Sequence, residues 1–381
     1  MAAIITTPFR VLNAENFKED VADASTSVYL GIGKSDAWSN TTSDLTDTTP
    51  TVPGDHRDDI NEAYQQMIAM KLITASDVAH VVPRFNYADG EVFVAWDSDD
   101  SDIFDKAFYC ITSEFKVYKC LSAGGGATSV QPVHTGTDPI TGADGYTWKY
   151  MYTVSLGDSD KFMTSTHMPV KTITASDTST ESDRLLAVQN AAVDGAIQVI
   201  EVNTIGVDYE EVFDAPVSTA TTLTLTVSPS SEISIDTGDN IYNGSSVYVT
   251  SGTGSGQLRR ITDYDGSTRT LSVNTAFTTI PASDSKIIIS PTVTIIGDGN
   301  GALAYSRLAD DLSGSVASIE LINIGTKYTQ AEALVTANPS HGSGATANVI
   351  ISPMGGHGSD PVRELGGDKV GLNVLFKDVE G

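Results

Sequence analysis

Only two of the 381 residues are cysteine, so no disulfide framework can be built. Cys110 and Cys120 lie in FYCITSEFKVYKC, where a hairpin would bring them together; buried free thiols suit a chain assembled in a reducing cytoplasm. Charge is scarce at 19% of residues, and positive charge is scarcest: 22 Lys and Arg stand against 49 Asp and Glu, for a net charge of −27. A phosphate backbone needs a clustered Lys/Arg footprint, and none is present, which argues against nucleic acid as a partner. The same deficit argues against anionic membrane surfaces. The acidity either keeps an abundant protein soluble or offers an acidic face to a basic partner. No segment approaches the ~20 continuous apolar residues of a membrane span. The opening MAAIITTPFRV, with one Arg and no cleavage context, carries no leader pattern.

Catalytic motifs are also missing. Gly31-Ile-Gly-Lys-Ser35 imitates half of a phosphate loop, but Val28 stands where the first glycine belongs, and a polar loop follows rather than a helix. Gly252, Gly254 and Gly256 fall between strands, so no helix N-terminus is there to hold a pyrophosphate. The densest acidic run, Asp97, Asp99, Asp100 and Asp102, has Asp102 and Phe108 where a calcium loop needs Gly and Glu; a solvated turn is the expectation. The six histidines show no metal-ligand spacing, and no nucleophile elbow is present. The expectation is no enzyme activity, no catalytic or metal-binding residue and no cofactor.

What the chain has is Ser, Thr, Gly, Asp and Asn between short apolar alternations, the composition of β-structure with many turns. The patterns predict a helix over 13–22 and a strand over 27–32. A long polar loop over 34–54 follows, which reads as an interface arm. Ile60, Tyr64, Met67, Ile68 and Lys71 predict the best helix of the chain over 60–72, capped by Asp58 or Asp59. Strands follow over 81–87, 91–96, 108–111, 116–120 and 147–154. In the last, alternation places Tyr146, Trp148, Tyr150 and Tyr152 on one face, either a buried sheet face or a subunit interface.

After residue 190 aromatics thin out and the sequence repeats. GAIQVIEVNTIGVDY (195–209) aligns with GSVASIELINIGTKY (314–328) at a spacing of 119, and GDGNGALA (297–304) matches HGSGATANV (341–349). The unit reads strand, Gly-X-X-Tyr turn, strand, Gly-X-Gly turn, strand. The first copy is interrupted by 217–291, whose alternating strands, with turns at 252–254 and at Asp265-Gly266, predict a small inserted β-barrel or sandwich.

Six stretches in one order resemble a known family. They are TTPFRVLNAENF (6–17), VYLGIGKSDAWS (28–39), VVPRF (81–85), FKVYKCL (115–121), DGYTWKYMYTV (144–154) and GLNVLFKD (371–378). Together they resemble the baseplate wedge subunits of T-even-type contractile-tailed phages, the gene-eight product, with a cyanophage-like relative as the implied source. The resemblance covers the first 190 residues or so and the last ten, and not the middle. It implies a structural subunit of the virion tail baseplate, assembled in the host cytoplasm. It further implies a homodimer that contacts other baseplate wedge proteins and acts through interfaces in assembly and contraction signalling. The residues it marks as a structural signature are Gly33, Trp38, Pro83, Arg84, Tyr146 and Trp148.

The expected fold class is mainly β with a few helices (α+β). A discontinuous N-terminal core domain takes 1–190 and 362–381, a β-repeat module 191–216 and 292–361, and the inserted β domain 217–291. Two other function classes stay open: a carbohydrate-binding tail adhesin using Ca²⁺ at its acidic loops, and a tail hydrolase that would need a competent acid pair.

Overall fold

The computed structural model describes residues 5–33, 56–228, 233–310, 313–338 and 340–377. The protein is mainly β with a few helices, as the composition and patterning led us to expect. Helix α1 (Thr7–Ala22) buries Val11, Ala14 and Val21 and leaves most of its other residues exposed. It begins six residues before the predicted start, because Pro8 in its first turn has its φ already set for a helix.

Strand β1 (Tyr29–Gly33) and helix α2 (Arg57–Gln65) follow. The helix predicted to run to Leu72 stops at Gln65, and Met67–Leu72 forms strand β2, antiparallel to β1. Asp58 and Asp59 lie in the first turn of α2 rather than capping it. MIAMKL satisfies both periods, and cross-strand hydrogen bonding to β1 decides between them.

Two small sheets build the first unit. Strands β3 (Val78–Pro83), β4 (Tyr109–Ile111), β5 (Lys116–Ser122), β6 (Ile140–Thr141), β7 (Thr147–Thr153) and β8 (His167–Val170) are joined by helices α3 (Leu156–Phe162) and α4 (Thr180–Ala191). Order in the four-stranded sheet is β4-β5-β7-β6. The predicted strand over 91–96 is extended but belongs to no ladder; its bonds are single ones, such as Trp96 N–H to the Cys120 carbonyl. The strand predicted over 81–87 ends at Pro83 and starts earlier, at Val78.

One side-chain direction differs from simple alternation. Val117 pairs with Tyr152, and the next residue, Tyr118, pairs with Tyr150, so β7 carries an extra residue at Met151. The bulge turns Tyr152 into the core holding Val117 and Met151, while Tyr146, Trp148 and Tyr150 stay together on the other face. All four rings are buried.

The second unit opens with β9 (Ile197–Val207) and is then interrupted. Strands β10 (Val212–Ala220), β11 (Thr224–Val227), β12 (Ser246–Ser251), β13 (Leu258–Asp265), β14 (Thr270–Val273) and β15 (Lys286–Ser290) close a six-stranded barrel, in the order β10-β11-β14-β13-β12-β15. Its interior is filled by Val217, Leu225, Val247, Ile261, Leu271 and Ile287, so it is a packed core. The Asp265-Gly266 turn is longer than a two-residue hairpin, and the positive φ falls on Arg269. Gly266 is needed for another reason: a Cβ there would lie 2.2 Å from the Thr237 carbonyl oxygen.

Strands β16 (Thr292–Gly297), β17 (Asn300–Leu308), β18 (Val316–Thr326), β19 (Ala331–Thr336) and β20 (Ser343–Ile351) complete a six-stranded sheet, ordered β18-β17-β16-β19-β20-β9. The order is palindromic about the antiparallel β16–β19 pair. Each repeat gives up its outer strand to the other: β9 of the first copy pairs with β20 of the second, and β18 of the second with β17 of the first. The bulges repeat as well, at Leu303/Ala304 and at Thr346/Ala347. The two edges meet reciprocally, with Tyr209 N–H donating to Gly314 O (2.9 Å) and Tyr328 N–H to Gly195 O (3.1 Å).

The barrel is fixed to this sheet. Tyr248 stacks on Tyr305 at 4.7 Å, Arg307 bonds Glu211 at 2.9 Å, and the Arg307 guanidinium lies 4.0 Å from the Phe213 ring centre. The chain then passes through a glycine-rich bend and helix α5 (Pro361–Glu364) and ends its regular structure in β21 (Lys369–Leu372), paired with β3. The first unit is therefore closed by the end of the chain.

Candidate functional site

Lysines inside apolar strands demand partners. Lys119 on β5 and Lys149 on β7 sit opposite each other within VYKCL and TWKYMY, and both are buried. Lys119 Nζ lies 3.0 Å from Glu364 Oε2 and 3.8 Å from the centre of the Trp96 ring. The other oxygen of Glu364 accepts from the backbone N–H groups of Gly358 (2.7 Å) and Asp360 (3.2 Å). Lys149 donates to the Thr137 carbonyl at 2.6 Å. Burial, opposed by Glu364, holds the Lys119 ammonium below the ordinary lysine range. This cluster ties the returning bend of the chain onto the first sheet.

His357 completes it. The ring is buried edge-on to Trp96 (6.2 Å, 87°), and its Nδ1, 3.9 Å from Glu364 Oε2, has no hydrogen-bond partner among the described residues. Burial first, then Lys119 and Lys149, push its pKa well below the ordinary value, so the folded chain holds it neutral. The unfolded chain takes up a proton near pH ~6.5. The depressed folded value means that stability is full above that pH and is lost as pH falls below it. The slope reaches about 1.4 kcal/mol per pH unit. His80, also held down by burial, acts in the same direction. His357→Phe is expected to reduce the fall of Tm between about pH 6.5 and 5 while leaving Tm at neutral pH nearly unchanged. Thermal melts across that range check it.

The second arrangement is on the surface. Tyr29, Ile68, Met70 and Leu72 share one face of the β1–β2 sheet, and all are exposed, Ile68 at 64%. The opposite face turns Leu30 toward Val21, Ile73 and Val78. Helix α2 buries no residue, and its Ile60 and Tyr64, one turn apart, are exposed, Tyr64 at 67%. Phe9 and Leu12 are exposed on α1, and Ile5, just ahead of it, is exposed too. A two-stranded sheet is marginal alone, and an exposed apolar sheet face marks a binding surface.

The signature residues do not converge on one site. Gly33 ends β1, where a Cβ would press on the Gln66 carbonyl oxygen at 3.1 Å. Trp38 and the whole 34–54 loop lie outside the described residues. The Pro83 carbonyl accepts from the Tyr109 hydroxyl at 2.8 Å, and Arg84 donates to Thr164 O (3.0 Å) and Asn86 Oδ1 (2.8 Å). Tyr146 stacks on Trp148 at 5.7 Å and donates to Gly126 O at 2.6 Å. These are packing and turn positions.

Chemistry has few handles here. Cys110 and Cys120 are free, buried thiols, and burial pushes both pKa values up, away from thiolate reactivity. Among the described residues no group of three or more His, Cys, Asp or Glu could hold a metal ion. Asp97 and Asp100 bond backbone N–H groups of their own turn, and Asp100 pairs with Lys106. No described helix is long and apolar enough to cross a membrane.

The buried Lys119–Glu364–His357 group was not found in the sequence. Its one local signal is a lysine flanked by inward-facing apolar residues on each of two strands. The partner glutamate, 245 residues from Lys119, leaves no trace near them. Comparison with curated proteins returns no match. A family does match: residues 3–124, the first third of the chain and the part that carries α1, the β1–β2 sheet and α2, fit the family model described as Phage-Gp8 (Bacteriophage T4, Gp8).

Proposed function

We propose that this chain is a structural subunit of a phage contractile-tail baseplate wedge, working through protein–protein interfaces in assembly and contraction signalling. The observation that carries the reading is the exposed apolar surface of α2 and the β1–β2 sheet, which falls inside the residues that fit the Gp8 family. A helix that buries nothing and a two-stranded sheet with one bare apolar face gain their packing from a partner. On this reading the partners are a second copy of the chain and other baseplate wedge proteins, and the place is the tail baseplate of the virion. Gly33, Pro83, Arg84, Tyr146 and Trp148 are then structural positions of the shared fold and make no catalytic contribution, and Trp38 belongs to the same sequence signature. The division into 1–190 with 362–381, 191–216 with 292–361, and 217–291 gives three units, the last two decorating that core.

The test is the mass in solution of the purified chain, wild type against Ile68→Asp/Met70→Asp. Wild type is expected at twice the chain mass. Two desolvated carboxylates in the interface should weaken self-association by at least a hundredfold, at roughly 2 kcal/mol or more each. The stability of the variant's single chain stays within about 1 kcal/mol of that of the wild-type single chain, because both side chains are exposed in it. A wild-type mass of one chain rejects the second copy as occupant of this face.

A further inference from the structure

A cavity of about 390 Å³ opens where α1, α3 and the strands β3, β7 and β8 meet, away from the Glu364 cluster. Its walls are apolar and include Val78, Val154 and Val170. Three lysines and one carboxylate line it: Lys18 comes from α1, Asp158 and Lys161 from α3, and Lys171 follows β8. Three ammonium groups around one opening stand out in a chain with so few basic residues.

One lining carboxylate, Asp158, faces the three lysines. Asp158 bonds Lys171 at 2.9 Å and also holds Ser155. Lys161 donates to the Ser76 carbonyl at 3.2 Å, and Asp77 beyond it is occupied with Thr74. Glu15, one turn from Lys18 on α1, is committed to Arg363. Among the described residues no carboxylate pairs with Lys18. Burial first, then the neighbouring Lys171, lower its pKa, with Asp158 acting the other way.

We propose that this cavity binds a carboxylate carried beside an apolar side chain, supplied by a peptide of a neighbouring protein. Lys18 and Lys161 hold the carboxylate at the rim, and the apolar group fills the valine-lined interior. The choice of a peptide as source rests on the assembly reading above; the carboxylate selectivity does not.

The probes are N-acetyl-leucine and its uncharged twin, N-acetyl-leucinamide, titrated into the full chain and followed by methyl NMR. N-acetyl-leucine should give saturable shifts confined to Val78, Val154 and Val170, with the amide bound roughly tenfold more weakly or less well still. Lys18→Gln and Lys161→Gln should each weaken N-acetyl-leucine by about tenfold. Lys161 is exposed, so its variant keeps the test valid if Lys18→Gln disturbs folding. Equal binding of acid and amide, no saturable shift, or indifference to both variants overturns the site. Saturable binding of hexanoate without binding of N-acetyl-leucine overturns the peptide assignment. These titrations are read on the chain alone, so their failure is distinct from a failure of self-association.

Discussion

Glu364→Leu is expected to cost about 3–5 kcal/mol of stability, because it strands Lys119 in a fully buried site. Lys119 has no exposed surface, and Glu364 is its one carboxylate partner among the described residues. The loss has two further sources. Glu364 Oε1 serves the N–H groups of Gly358 and Asp360, which become unsatisfied, and Lys149, also buried, loses the larger of the two negative charges that act on it. The double variant Lys119→Met/Glu364→Leu should recover the part of the loss that comes from the stranded Lys119. Replacing both members of a buried pair by apolar groups of similar size is commonly neutral or stabilising. Denaturant titration followed by Trp fluorescence is well placed, since Lys119 and His357 both lie against Trp96. A single-variant loss within the ±0.5 kcal/mol or so of an ordinary surface change would show that the pair does not hold the closing bend.

Gly195→Val and Gly314→Val are expected to destabilise the repeat sheet by similar amounts, roughly 2–4 kcal/mol each. Gly195 has φ +61° and Gly314 φ +64°, a region that a β-branched residue enters only with strain. Each also lies against the Tyr turn of the other copy. A Cβ on Gly195 would be 2.4 Å from Tyr328 N, and one on Gly314 2.8 Å from Tyr209 O, so backbone must move in either case. Equality is the informative part: the two glycines hold equivalent places about the β16–β19 pair. The check is thermal unfolding of both variants beside wild type. A large loss at one position and none at the other would mean that the symmetry is one of sequence without shared mechanical role.

The repeat itself was legible. Glycines at a fixed spacing with Tyr three residues on specify turns, and the structure places Gly206 and Gly325 at the same φ of +64°. The inserted barrel was legible too, because alternation between turn residues marks short strands whichever partners they take. Strand against helix was harder at 67–72. Met67, Ile68 and Lys71 fit a helical stripe, yet the same six residues alternate, and only the presence of β1 beside them settles the matter. The predicted common face of Tyr146 to Tyr152 failed at one bulge, since a single extra residue at Met151 inverts everything beyond it.

The sequence by itself determined a mainly β chain, poor in positive charge and thiols, with an internal repeat, an insertion and a final strand that returns to the first unit. Composition, turn residues and period-two alternation are local properties, and they survive without neighbours. Only the tertiary structure decided that the repeats exchange their outer strands and that Lys119 finds Glu364. It alone decided that three lysines from separate segments meet on one cavity, and that the β1–β2 sheet leaves an apolar face bare. Alternation fixes which face a strand buries but not which strand lies beside it. A charge pair spanning 245 residues is written in no local pattern.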